Sequence, residues 1–159
     1  MIGLIFLSAC GNRNQEQAAS TPKEETVLSP LIAAWQNDET EEVLRLFREI
    51  DWSQRPLFPA SSPLSLSEGE YMAAVKRQRP GPNLMGEIQD FLKPLSREVL
   101  HAGKTAALEG NVSLSQDYFE SLKAFGQAIQ DSELTLVVTQ MGQAFVASAD
   151  AELVLTGTE

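Results

Sequence analysis

From residue 27 onward, large apolar side chains return every three or four positions, and that period commits the chain to helices. The clearest run is Val43, Leu46, Phe47 and Ile50, spaced i, i+3, i+4 and i+7, with Leu44 beside them. Such a stripe lies on one face of a helix; on a strand, where side chains alternate, it would scatter over both faces. The same spacing places a first helix on Val27, Leu28, Leu31, Ile32 and Trp35. Pro30 falls in its first turn, where a missing N–H breaks no bond. Asn37, Asp38 and Glu39 interrupt the pattern, and Asp38 or Thr40 is expected to cap the second helix. Glu39, Glu41 and Glu42 crowd its first turn, where the helix dipole favours anions.

The next segment, Asp51 to Leu66, carries Pro56, Pro59 and Pro63 and cannot be a regular helix. Ser67 and Glu70 form a capping-box pair that opens a third helix through Tyr71, Met72 and Val75. Asn83 is expected to cap a long fourth helix whose face carries Leu84, Ile88, Phe91, Leu95, Val99 and Ala106, with Pro94 kinking or splitting it near Leu92. Gly110 ends it. Ser113 and Gln116 read as a second capping box, opening a fifth helix on Tyr118, Phe119, Leu122, Phe125 and Ile129. A sixth helix starts at Asp131 or Ser132 and carries Leu134, Val138, Met141 and Phe145. Its β-branched start, LTLVVT, would also suit a strand, but the helical spacing continues to Ala149. Leu153 to Leu155 read as a short extension. The expectation is an all-α, antiparallel bundle of five or six helices, one domain over residues 27–159, with Phe47 and Phe119 in its core.

Charge and residue inventory then narrow the chemistry. The 159 residues carry a formal net charge of −10, and no Lys or Arg follows Lys123. Nucleic acid phosphates and anionic headgroups would repel such a surface, so no nucleic acid partner is expected. One cysteine excludes an internal disulfide and a thiolate metal cluster. Glu98 and His101 make an E-x-x-H pair on one helix face, but a carboxylate-bridged di-iron bundle needs two such pairs and two further Glu, and this chain has one His. There is no G-x-S-x-G elbow, no P-loop and no G-x-G-x-x-G. No metal, no cofactor and no enzymatic activity are expected. The rival reading is an enzyme or small-ligand binder with a groove near His101 and Glu98.

The first nine residues, MIGLIFLSA, are apolar or small and uncharged. At about 1.5 Å per residue they are too short to cross a bilayer core of about 30 Å. They read as the end of a secretory signal, residues 1–9, and the missing Lys or Arg places the start of that signal upstream. Leu7, Ser8, Ala9 and Cys10 resemble the lipobox of bacterial lipoproteins. The resemblance implies cleavage before Cys10, lipidation of its thiol and attachment to a membrane of the cell envelope. Gly11 stands where an Asp would imply inner-membrane retention, so the resemblance points to the outer membrane, facing the periplasm. The alternative for this stretch is an apolar strand with a buried cysteine. Gly11 to Thr26 contain no large apolar residue and read as a flexible tether, so that 10–26 is lipidated cysteine plus linker. A coil of that length spans about 20–25 Å.

Within the domain, Val99 to Ile129 resemble a degenerate tetratricopeptide-type helical hairpin, on Gly103, Gly110, Ser115, Phe119 and Leu122. Val99, Ala102 and Ala106 stand where that family has larger residues. A partial second match at Asp38, Val43, Phe47 and Ile50 falls out of phase with a 34-residue repeat, so no array is expected. The interaction loop is placed at Trp52, Leu57 and Phe58. These rings and side chains form a recognition patch if exposed, or a lid on the core if packed. The functional expectation is a non-enzymatic envelope lipoprotein that contacts another envelope protein.

Overall fold

The computed structural model describes residues 26–78 and 80–157; the LSAC motif with Cys10 lies outside them. Among the described residues there is no strand. The helices are α1 (Ser29–Gln36), α2 (Thr40–Glu49), α3 (Glu68–Arg77), α4 (Leu84–Glu87), α5 (Lys93–Leu108), α6 (Val112–Gln130) and α7 (Leu136–Thr156), with a 3₁₀ turn at Pro63–Ser65. The chain is an all-α bundle, as the apolar period requires.

The centre is an antiparallel stack of α5, α6 and α7, with the α1–α2 hairpin packed against it through α2. Helices α6 and α7 meet most closely, because two glycines face each other. A Cβ on Gly126 would lie 2.6 Å from the Gly142 carbonyl oxygen, and one on Gly142 would lie 2.7 Å from that of Gly126. At the α5–α6 crossing, a Cβ on Gly103 would lie 2.5 Å from the Phe119 ring. Gly110 turns the hairpin at φ +79°, a conformation that glycine adopts without a Cβ clash. The resulting core holds a chain of aromatic contacts. Phe47 meets Trp52 at 4.9 Å between ring centroids, Trp52 meets Phe125 at 4.7 Å, and Phe125 stacks on Phe145 at 5.8 Å. Phe47 and Phe119 are fully buried.

Local signals in the sequence resolve unevenly. Pro30 stands in the first turn of α1, and Ser67 and Glu70 form the full reciprocal box at the start of α3. The long helix divides near Leu92, as Pro94 leads one to expect: a π turn at Ile88–Leu92 joins α4 to α5, the Lys93 N–H donates to the Ile88 carbonyl, and Pro94 stands in the first turn of α5. Several boundaries and caps differ from the expectation. The cap of α6 is Asn111, whose side chain accepts from the Leu114 N–H; Ser113 is already inside the helix. No side chain of Asp38 or Thr40 caps α2, which follows a turn with Asp38 at φ +58°. Helix α7 begins at Leu136 instead of Asp131 or Ser132, because the Ser132 hydroxyl bonds back to the Ala128 carbonyl and closes off α6. Helix α7 also runs on to Thr156, taking in residues 153–155. Thr26 belongs to the domain instead of the linker: it is buried, and its N–H donates to the Ser29 hydroxyl at 2.8 Å.

Candidate functional site

The proline-rich segment folds down as a lid. Trp52 is 8% exposed, Leu57 3% and Phe58 2%. Of the two fates open to these residues, the structure takes the packed one, so they present no exposed anchors. Leu57 and Phe58 point inward from the proline-stiffened backbone, and the ring of Trp52 packs against Phe47 and Phe125.

Arg55 fixes this lid to the central stack. Its guanidinium donates to the carbonyls of Trp52 at 2.9 Å and Gln54 at 2.8 Å within the loop, and to the Ala128 carbonyl of α6 at 3.2 Å. That carbonyl lies in the last turn of α6, where backbone acceptors lack helical partners. The Val27 N–H donates to Pro56, so the domain's first residues leave from the same end. Between lid and α6–α7 connection lies a depression of about 320 Å³. Pro56, Leu57, Phe58 and Leu134 supply apolar walls; Arg55, Asp131 and Glu133 supply charge. It combines apolar walls with two carboxylates and a cation already committed to backbone carbonyls. A larger, shallow depression of about 730 Å³ is lined by Asp38, Glu39, Thr40, Glu41, Glu42 and Arg45.

The titratable groups with displaced pKa values are engaged in local structure. The Arg45 guanidinium, hydrogen-bonded to Glu42, holds that carboxyl below its ordinary value. The same pairing, with Glu49 added, raises Arg45 itself. Asp51 is lowered by the Ser53 hydroxyl and then its N–H, and Glu70 by the Ser67 N–H and then its hydroxyl. The Arg45 pairs run along the surface of α2, and the Asp51 and Glu70 bonds belong to a turn and a helix cap.

His101 and Glu98 are both exposed on α5. Glu98 borders a depression of only about 90 Å³ with Trp35, Asp38, Glu39, Thr40 and Val43, and His101 does not line it. The structure therefore does not bring the E-x-x-H pair into a common groove. Among the described residues no three His, Cys, Asp or Glu gather as metal ligands would. No helix of the described residues is long and apolar enough to cross a membrane. Sequence reasoning missed Arg55, Asp131 and Glu133, which meet only through a contact between residues far apart in the chain. Compared with known proteins, the chain matches no family, no curated protein and no solved structure.

Proposed function

We propose that this protein is a lipoprotein of the bacterial cell envelope, anchored through Cys10, whose helical domain serves as a protein-contact module and not as an enzyme. The observation that carries the reading is the order of three pieces: LSAC, then a stretch without large apolar residues, then a domain that begins at Thr26. A cysteine placed before such a stretch is suited to carry acyl chains, each buried methylene of which contributes about 0.8 kcal/mol to membrane attachment. The contact half of the reading is supported by the lidded depression at Pro56 and Leu134, and by large apolar side chains left at the surface. Leu108, at the tip of the α5–α6 hairpin, is 89% exposed. In this reading the domain sits at the outer membrane and faces the periplasm.

The test supplies a complete signal peptide upstream and follows incorporation of a labelled fatty acid in cells. Wild type is expected to be labelled and to fractionate with membranes; Cys10→Ser is expected to be unlabelled. Equal labelling of both, or none of either, refutes the anchor.

A further inference from the structure

The tip of the α5–α6 hairpin, residues 108–113, is exposed at every position. Gly110 turns the chain there, and the first residue to pack inward afterwards is the half-buried Leu114. The tip contains Asn111-Val112-Ser113, an Asn-x-Ser triplet without proline, which is the acceptor sequence for N-linked glycans. Of the five Asn in the chain, only Asn111 is followed by this pattern. Glu109 lies two residues before it and lengthens the triplet to acid-x-Asn-x-Ser, the form that bacterial transferases take. The Asn111 side-chain oxygen accepts the Leu114 N–H at 3.2 Å. Among the described residues, the Asn111 amide nitrogen, the Ser113 hydroxyl and the Glu109 carboxylate have no hydrogen-bond or ion-pair partner.

In an extended backbone, side chains two apart point to one side, so Glu109, Asn111 and Ser113 would face a transferase together. Opening the tip that far breaks the Leu114 cap bond and the bond from the Asn111 N–H to the Ala106 carbonyl at 2.8 Å. It uncovers no buried side chain, because burial resumes only at Leu114, and helix ends are where local opening is easiest. We propose that Asn111 accepts an N-linked oligosaccharide on the exported chain. The Asn111 nitrogen attacks the anomeric carbon of a sugar carried on a lipid pyrophosphate. A C1–Nδ2 bond forms, the C1–O bond to the pyrophosphate breaks, and the lipid pyrophosphate leaves with the electron pair. One amide proton passes to a base on the transferase, and nothing is oxidised or reduced. The product keeps its amide oxygen, so the cap on the Leu114 N–H re-forms with the glycan in solvent.

The proposal rests on export to the envelope and not on acylation of Cys10. The test takes the full chain from its own cells, separates envelope from cytosol, and digests it with trypsin. No Lys or Arg lies between Lys104 and Lys123, so Asn111 is released on the peptide spanning 105–123. Mass spectrometry is expected to show that peptide heavier by an oligosaccharide, and electron-transfer fragmentation is expected to place the added mass on Asn111. Asn111→Gln and Ser113→Ala are each expected to lose the added mass, and Ser113→Thr to keep it. Glu109→Gln is expected to lose most of it. Circular dichroism of Ser113→Ala is expected to match the wild type, which separates loss of the acceptor from loss of the fold. A bare peptide from the envelope fraction overturns the proposal and leaves the envelope reading standing; a chain found only in the cytosol, with a bare peptide, overturns both. Sugar on a hydroxyl side chain of the same peptide, or full occupancy in Ser113→Ala or Glu109→Gln, also overturns the proposal.

Discussion

Helix α6 buries eight of its residues, and α3 buries none. Both come from stretches with helical spacing, and α3 has the better start, a complete capping box. The difference lies in the neighbours. Helix α6 is clasped on two sides, by α5 at Gly103 and by α7 at Gly142, where the absence of side chains lets backbones approach. Helix α3 rests on the core through the half-buried Tyr71, and Glu68 reaches over to accept the Leu136 N–H at 3.0 Å. Met72 and Val75 stay exposed. A strong local signal thus makes a helix, but small residues at crossing points decide whether it becomes central.

The sharpest way to break this comparison is to remove large side chains from the clasped region. Phe119→Ala and Phe47→Ala are expected to cost about 3–5 kcal/mol each in urea unfolding, since both rings are fully buried and the surrounding helices cannot collapse into the space. Trp52→Ala is expected to fall in the same range, and in Trp35→Phe alone the remaining Trp52 is expected to emit blue-shifted fluorescence. Met72→Ala in α3 is expected to stay within about ±0.5 kcal/mol. Losses of similar size at Phe119 and Met72 would erase the distinction between the two helices.

Glycines give opposite signs in the two places. At Gly126 an added methyl meets a backbone oxygen, which no rotamer can move, and such overpacking costs about 1–3 kcal/mol. That exceeds the gain of up to about 1 kcal/mol that alanine brings to a helix. Gly126→Ala is therefore expected to lower the melting temperature. At Gly69 nothing lies within 4 Å of the added carbon, so Gly69→Ala is expected to raise stability by about 0.5 kcal/mol. A stabilising Gly126→Ala would mean that α6 and α7 are less tightly joined than their backbones indicate.

These contrasts also mark what the sequence discloses. The stripe Val43, Phe47 is a local periodicity, and the structure buries both. The capping box at Ser67 is legible because donor and acceptor are three residues apart. The Gly126–Gly142 contact is not legible, because a glycine in a helical pattern looks the same whether it meets a helix or solvent. Trp52 was open between lid and patch for a related reason: proline fixes the chain's stiffness but not its direction. The depression between Pro56 and Leu134 depends on Arg55 reaching Ala128, a contact across the fold. The boundary at Asn111 was lost to a competing signal, since Ser113 and Gln116 match the capping template. Substitution separates the two. Asn111→Ala is expected to cost about 1 kcal/mol, and Ser113→Ala to stay within about ±0.5 kcal/mol.

The smallest expected effect is a change of pH that loosens α3 before α6. In the folded chain Glu70 accepts from the Ser67 N–H at 2.9 Å and from its hydroxyl at 2.7 Å, and these bonds hold its pKa below the ordinary value. The folded state then binds fewer protons than the unfolded one as pH falls through the carboxylate range. The stabilisation is fully present above the ordinary value and is lost as pH drops through the lowered one. Helix α3 has little tertiary packing to compensate, whereas the first turn of α6 relies on the neutral Asn111. Amide exchange, corrected for intrinsic rates, is therefore expected to show protection falling at Glu70 to Ala74 as pH drops below the ordinary carboxylate value of 4.5, with α6 unchanged over the same range. Glu70→Gln keeps an acceptor for the Ser67 N–H but cannot titrate, so its α3 should lose the pH dependence and keep most of the protection. Equal acid sensitivity of α3 in wild type and Glu70→Gln would show that the box does not control it.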